Sequence, residues 1–228
     1  MCSSDLATVV RDALVQGAGM RPEDGIVLTD GAATRAAFRQ SISDLAARTD
    51  ENTLFVLFYS GHGAQYERSS PQASDPDGKD ESIELVDGEI LDDELNQLLG
   101  QLRANHQLIV LDACFSGGFA KDLISQPGRM GLFSSEEDVI SFVADKFEAG
   151  GYLSHFFSDA LVQRGADEDH NGAVTPLELS QYIQDRYDGD VRSTGLEAIV
   201  ARETRLKHQH LVVDRGSLGA FSTLFVLQ

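Results

Sequence analysis

Two glycine-bordered strand ends carry the reactive side chains of this 228-residue chain. In "TLFVLFYSGHG" (53–63) an apolar run stops at His62, and in "LIVLDACFSGG" (108–118) a second one stops at Cys114. A thiolate attacks a carbonyl carbon and an imidazole within reach moves the proton, so this pair of residue types suits nucleophilic catalysis. The adjoining glycines let a substrate backbone approach closely and leave N–H groups free to hold an oxyanion. Taken singly, a buried cysteine is usually an inert packing residue and a strand-end histidine a structural one. Two reactive residues at two independent strand ends outweigh that reading.

Such residues need a sheet to place them. Leu6, Val9, Val10, Ala13 and Leu14 recur at spacings of three and four and predict an amphipathic helix. "GIVLTD" (25–30) reads as a short strand, and Phe38, Ile42 and Leu45 mark a helix entered near Thr34. Leu95, Leu98, Leu99 and Leu102 give a third helical stripe. Beyond Cys114 a Gly/Pro-containing connection runs to about Gly128, followed by a strand at "MGLFSS" (130–135). Helices are expected from about Ser154, from about Pro176 and near 194–206, with "FSTLFVL" (221–227) as a closing strand. The acidic stretch "ERSSPQASDPDGKDES" (67–82) is the clearest insertion. Strands apolar throughout, alternating with helices, predict one α/β domain with a mostly parallel sheet covered on both faces. In such sheets ligands bind beyond the carboxyl ends of the strands, where His62 and Cys114 stand.

Composition narrows the partners. An apolar content of 42% is enough for a core, and there is neither an eighteen-residue apolar run nor a basic-then-apolar leader. No membrane role is expected. Cys2 and Cys114 make no disulfide framework, so a reducing, cytoplasmic setting is the default. The net charge of −19, from 37 acidic and 18 basic residues, argues against nucleic acid and favours cations or basic peptide segments. Most of those acids read as solvated surface.

"YSGHG" followed about fifty residues later by "DACFSGG" resembles the caspase-like cysteine peptidases, specifically the metacaspases and their bacterial relatives, the orthocaspases. The resemblance covers nearly the whole chain. It implies a caspase-like fold, with a large-subunit-like part over about 1–125 and a small-subunit-like part over about 145–228, opening near "EAGGYLSHFFSDAL" (148–161). It implies Cys114 as nucleophile, His62 as acid/base, and the N–H groups of Gly63 and Cys114 as oxyanion hole, with no third aspartate.

The same resemblance implies cleavage after arginine or lysine. The family builds an acidic pocket from a Cys-x-x-Asp element at the first helix, the serine two before the histidine and the aspartate two before the cysteine. Cys2, Asp5, Ser60 and Asp112 match. A carboxylate at a confined strand end also suits a guanidinium, which it can bind through two hydrogen bonds. Asp5 equally suits a helix N-terminus, a role compatible with the pocket. The family's first strand normally precedes the Cys-x-x-Asp element, whereas this sequence starts at Met1 and Cys2. Either the start is trimmed, or another segment supplies or omits that strand.

Calcium enters twice. The resemblance implies an aspartate cluster near the active site, here Asp80 in "DGKDE", Asp92 and Asp93 in "ILDDEL", and, with a one-residue gap, Asp122. Calcium prefers several oxygen ligands from carboxylates; the simpler role of Asp92 or Asp93 is to start the Leu95 helix. Separately, "DEDHNGAVTPLE" (167–178) places Asp167, Asp169, Asn171 and Glu178 at positions one, three, five and twelve of an EF-hand loop, with Gly172 at six. Thr175 to Glu178 is also a capping box with Pro176 at the first helical position.

Lys121 and Arg129 in the connection after Cys114 suit an acidic pocket and are candidate self-cleavage points. The expected partners are polypeptides with basic residues, and the resemblance implies a monomer. Two other readings stand: a catalytically silent caspase-like module that binds and responds to calcium, and caspase-type cleavage after aspartate, disfavoured by Asp112.

Overall fold

A computed structural model describes residues 4–67, 79–135, 143–144, 150–193 and 211–228. Helix α1 (Ser4–Gly17) is followed by α2 (Arg35–Ala46), entered through Thr34, whose hydroxyl accepts the Ala37 N–H at 3.1 Å. Then come β1 (Leu54–Ser60), β2 (Gly63–Glu67), β3 (Lys79–Leu85), β4 (Gly88–Leu91) and α3 (Asp92–Leu99). After β5 (His106–Asp112) follow α4 (Phe119–Leu123), β6 (Arg129–Phe133), β7 (Val143–Ala144) and β8 (Gly150–Gly151). The chain continues through α5 (Tyr152–Val162), β9 (Ala173–Val174), α6 (Pro176–Ser193), β10 (Val212–Asp214) and β11 (Phe225–Val226).

The central sheet has the order β1-β5-β6-β10; β1, β5 and β6 run parallel, and β10 is antiparallel to β6. Strand β5 lies inside the sheet, and its alternate side chains feed two separate cores. Leu108 and Val110 join Val10, Leu14, Leu153, Phe156, Phe157, Leu179 and Ile183 on the face covered by α1, α5 and α6. Ile109 and Leu111 join Phe38, Ile42, Leu95, Leu99, Phe119 and Leu123 on the face covered by α2, α3 and α4. Burial on both faces explains why β5 reads as an unbroken apolar run. Helices α1 and α5 pack so closely that a side chain on Gly17 would collide with the Leu161 backbone. A smaller antiparallel sheet, β2-β3-β4, stands beside the end of β1.

Several expectations are corrected. Residues 25–29 form no strand: Gly25 and Thr29 are extended, yet none of these residues has a ladder partner among the described ones, and an extended segment becomes a strand only with a neighbour. The closing strand shrinks to β11, which pairs with β9 and not with the central sheet. Part of the acidic insertion, from Lys79, is strand β3. The connection after Cys114 holds a 3-10 turn (Ser116–Gly118) and α4. The helix expected near 194–206 lies outside the described residues. Among the described residues no helix is long and apolar enough to cross a membrane.

Candidate active site

The parallel pairing of β1 with β5 sets Ser60 opposite Asp112, so both reactive segments leave the sheet at the same edge. Gly61 N–H donates to the Asp112 carbonyl at 3.4 Å, extending the contact past the strand ends. His62 is exposed. Its carbonyl oxygen accepts the Glu84 N–H at 3.0 Å and lies 2.7 Å from the Tyr59 hydroxyl, which is also 2.8 Å from the Glu84 carbonyl. Burial pushes the Tyr59 phenol above its ordinary pKa, so it stays a donor beneath the His62 turn.

The bond from Glu84 N–H to His62 makes Gly63 and Ile83 a non-hydrogen-bonded pair, so the Gly63 N–H points out of the β2–β3 ladder. A Cβ on Gly63 would collide with the carbonyl oxygen of Cys114, which brings the two loops into backbone contact. Neither the Gly63 nor the Cys114 N–H has an acceptor among the described residues. Cys114 is a half-buried free thiol, and Phe115 after it turns left-handed at φ 57°, bending the chain sharply. That conformation costs roughly 1–3 kcal/mol in a non-glycine residue. It is anchored by serines: Ser135 and Ser134 hydroxyls donate to the Ala113 carbonyl at 3.0 and 3.3 Å, and Ser116 N–H donates to Ser135 Oγ at 3.3 Å. His62 and Cys114 side chains form no hydrogen bond with each other, and such contacts often tighten only with substrate bound.

Asp112 is buried at 6% exposure. Its Oδ2 accepts the Ser154 hydroxyl at 2.5 Å and the Ser154 N–H at 3.1 Å, and a side chain on Gly151 would overlap its carboxylate. Burial raises its pKa, and hydrogen bonds from Ser154 and Ser134 pull it back. No lysine or arginine pairs with it among the described residues. Of the other expected pocket residues, Ser60 is beside Asp112, Asp5 is exposed in the first turn of α1, and Cys2 lies outside the described residues.

The acidic cluster assembles where β3 meets α3. Carboxylate oxygens of Asp80, Asp92 and Asp93 converge within 4.8 Å, and those of Glu81, Asp92 and Asp122 do the same. Asp92 is buried and accepts N–H groups of Glu81 at 2.8 Å and Asp93 at 2.6 Å; burial, followed by the charges of Asp80 and Asp93, raises its pKa against those bonds. Glu81, buried and bonded to Gln65 at 2.9 Å, was absent from the sequence-based set. Its neighbours in sequence look like an exposed acidic loop, and only the β2–β3 pairing turns it inward. Ser154 was also missed; its one signal is a serine just inside a helix that starts at a glycine pair.

In the second loop, Asp167, Asp169 and Glu178 carboxylates converge within 4.8 Å. Asp167 accepts N–H groups of Asn171 and Gly172, and Asn171 accepts that of Ala173 at 2.7 Å. The capping box forms as well: Glu178 accepts the Thr175 N–H at 2.9 Å, while Thr175 Oγ1 accepts the Glu178 N–H at 3.2 Å. Of the two self-cleavage candidates, Lys121 is exposed within α4. Arg129 is corrected. It is 3% exposed inside the central sheet, with its guanidinium bonded to Gln107 Oε1 at 2.9 Å, Asn96 Oδ1 at 2.6 Å and the Leu123 carbonyl at 3.1 Å. No protease can take that bond without first unfolding the strand.

The chain is similar to known proteins of one family. Residues 2–123 match the family model described as "Metacaspase, peptidase C14 domain". Metacaspase-1 of Yarrowia lipolytica is 34% identical over 128 residues, 51% of this chain and 27% of that protein. Metacaspase-8 of Arabidopsis thaliana is 29% identical over 90 residues, 39% of this chain and 24% of that protein. The matched regions thus span about a quarter of those relatives' length. The crystal structure of protein GSU0716 from Geobacter sulfurreducens superposes with a TM-score of 0.55 at 20% identity, covering 100% of this chain and 90% of that one, which speaks for the fold alone. With more than half of its residues on the family model, including both reactive strand ends, the chain belongs to the metacaspases and carries their cysteine-peptidase C14 domain.

Proposed function

We propose that the chain is a cysteine endopeptidase that cleaves after arginine or lysine. The observation that carries the reading is the backbone contact between Gly63 and Cys114, with both N–H groups lacking acceptors among the described residues, beside a free thiol. The Cys114 thiolate attacks the scissile carbonyl carbon, and the carbonyl π electrons move onto oxygen, held by the Gly63 and Cys114 N–H groups. His62 delivers its proton to the leaving nitrogen as the C–N bond breaks, giving a thioester on Cys114. It then takes a proton from water, which attacks the thioester and restores the thiol. Asp112, buried without a cation, with Ser60 beside it, receives the basic side chain on the amino side of the cut bond; Asp5 stands at the end of α1 as a further charge for the approaching substrate. The thiol chemistry suits a reducing, cytoplasmic setting and a monomer acting on polypeptides.

Calcium fits the oxygen-only cluster of Asp80, Glu81, Asp92, Asp93 and Asp122, and Asp167, Asp169, Asn171 and Glu178 offer a second oxygen set. The first cluster would hold the ion between β3 and α3, where its positive charge would let the buried carboxylates stay ionised. The residues themselves set the loop carrying His62, since β3 provides the N–H that holds the His62 carbonyl.

The test is hydrolysis of a fluorogenic peptide ending in arginine, with and without millimolar calcium, with Cys114→Ala as control. Calcium-dependent turnover lost in the variant supports the whole reading, and calcium-independent turnover removes the metal from it. No turnover by folded protein, or turnover only after aspartate, refutes it in favour of a silent calcium-binding module or a caspase-type enzyme respectively.

A further inference from the structure

The surroundings of Asp112 hold more than a carboxylate facing a substrate. Its Oδ2 accepts twice from one residue, Ser154, through both hydroxyl and N–H, and Ser134 also bonds to the carboxylate. Ser154 is completely buried. It is the third residue of α5, where a backbone N–H has no intrahelical acceptor and the helix dipole is positive. The approach is so close that Gly151, preceding the helix, tolerates no side chain against the carboxylate. A completely buried hydroxyl is costly unless it has a partner, and here its partner is a carboxylate that itself pairs with no cation among the described residues.

We propose that Ser154 is a positioning residue for substrate specificity: it holds Asp112 in one orientation and in its anionic form, ready for a basic side chain. The proposal rests on Asp112 being the specificity carboxylate. Donors to the ionised form favour it against burial, the effect that otherwise raises this group's pKa. Among the described residues, the titratable and hydroxyl-bearing groups around it are few. Cys114 follows on the same segment and His62 on the adjacent loop, while β1 offers Tyr59 and Ser60. The end of β6 brings Ser134 and Ser135, and His155 of α5 faces Asp159 at 3.5 Å.

The test measures kcat/KM against pH for two fluorogenic peptides, one ending in arginine and one in citrulline, its uncharged isostere. Loss of a hydrogen bond to a charged group is worth about tenfold. Ser154→Ala is therefore expected to lower kcat/KM for the arginine peptide about tenfold near neutrality. With a donor removed, the Asp112 pKa rises, so the acidic limb for that peptide moves up by about one pH unit. The citrulline profile stays in place. Ser154→Cys, nearly isosteric with a weaker donor, gives an intermediate shift and serves if Ser154→Ala does not fold. Equal losses on both peptides, or an unmoved limb in a folded variant, overturn the proposal and leave Ser154 a packing residue. A wild-type enzyme that does not prefer arginine over citrulline overturns instead the pocket assignment of Asp112.

Discussion

Gly63→Ala isolates the contact on which the active-site reading depends. Gly63 does not have the left-handed backbone that would itself exclude alanine, so the substitution acts through space alone. Ordinary van der Waals contact starts near 3.4 Å, and the new Cβ falls short of it by about 1 Å against the Cys114 carbonyl oxygen. That oxygen belongs to the backbone of a turn pinned by Ser134, Ser135 and the left-handed Phe115, so it cannot rotate away as a flexible side chain would. The two loops must separate by about that distance, and a misplacement of about 1 Å in a reacting group costs about 10²-fold. The overpacking should cost about 1–3 kcal/mol of stability, leaving the fold intact. The assay is kcat/KM on the arginine peptide with a thermal melt on the same samples. Gly31→Ala is the control, because a side chain there has nothing within 4 Å. A folded Gly63→Ala variant with wild-type turnover would refute the claim that this contact sets His62 against Cys114.

Four further outcomes are expected. Active enzyme incubated with calcium yields no fragment beginning at Met130, by N-terminal sequencing, and Arg129→Ala lowers stability in a denaturant titration by about 2–4 kcal/mol, because Gln107, Asn96 and the Leu123 carbonyl lose their buried donor; a Met130 fragment from folded protein contradicts the strand assignment. Calcium at a hundred times its Kd stabilises the native chain by about 2.7 kcal/mol, visible as a higher Tm, and Asp92→Asn removes part of that rise; a melt indifferent to calcium argues against both acidic clusters.

What the sequence discloses and what it hides follow from one physical difference. Strand β5 and the stripes of α2 and α3 are legible because burial of apolar side chains leaves a periodic trace. The β3–β4 hairpin leaves none: in "KDESIEL" the buried residues include Glu81 and Ser82, bonded to Gln65 and Glu89, so a buried strand reads like solvated loop. Arg129 misleads in the same direction, its charge satisfied by Gln107 and Asn96, both distant in sequence, and by the nearby Leu123 carbonyl. Residues 25–29 mislead oppositely, carrying a strand's apolar composition without a neighbour to complete the ladder. His62 and Cys114 are legible because glycine patterns mark the strand ends, whereas Ser154 acquires its role only when α5 folds back onto Asp112.

The two buried acidic sites beside the active centre differ in the charge they can receive, and that difference argues for two distinct cations. At Asp112 a single carboxylate is met by neutral donors from Ser154, leaving one negative charge in a narrow space closed by Gly151. One delocalised monovalent cation, a guanidinium, or an ammonium of similar reach, balances it. At Asp92 the carboxylate already uses both oxygens on backbone N–H groups, yet Asp80, Glu81, Asp93 and Asp122 converge on it. Several carboxylates within one coordination radius call for a compact divalent ion with flexible oxygen ligation. A lysine or arginine placed there would leave at least two carboxylates unbalanced, and a calcium ion at Asp112 would lack ligands. Strand β3 joins these sites: its Glu81 contributes to the acidic cluster, and three residues on, the Glu84 N–H holds the His62 carbonyl. Under the proposed function, an ion bound there would fix β3 and so act on the loop of the histidine that must reach Cys114, without touching substrate.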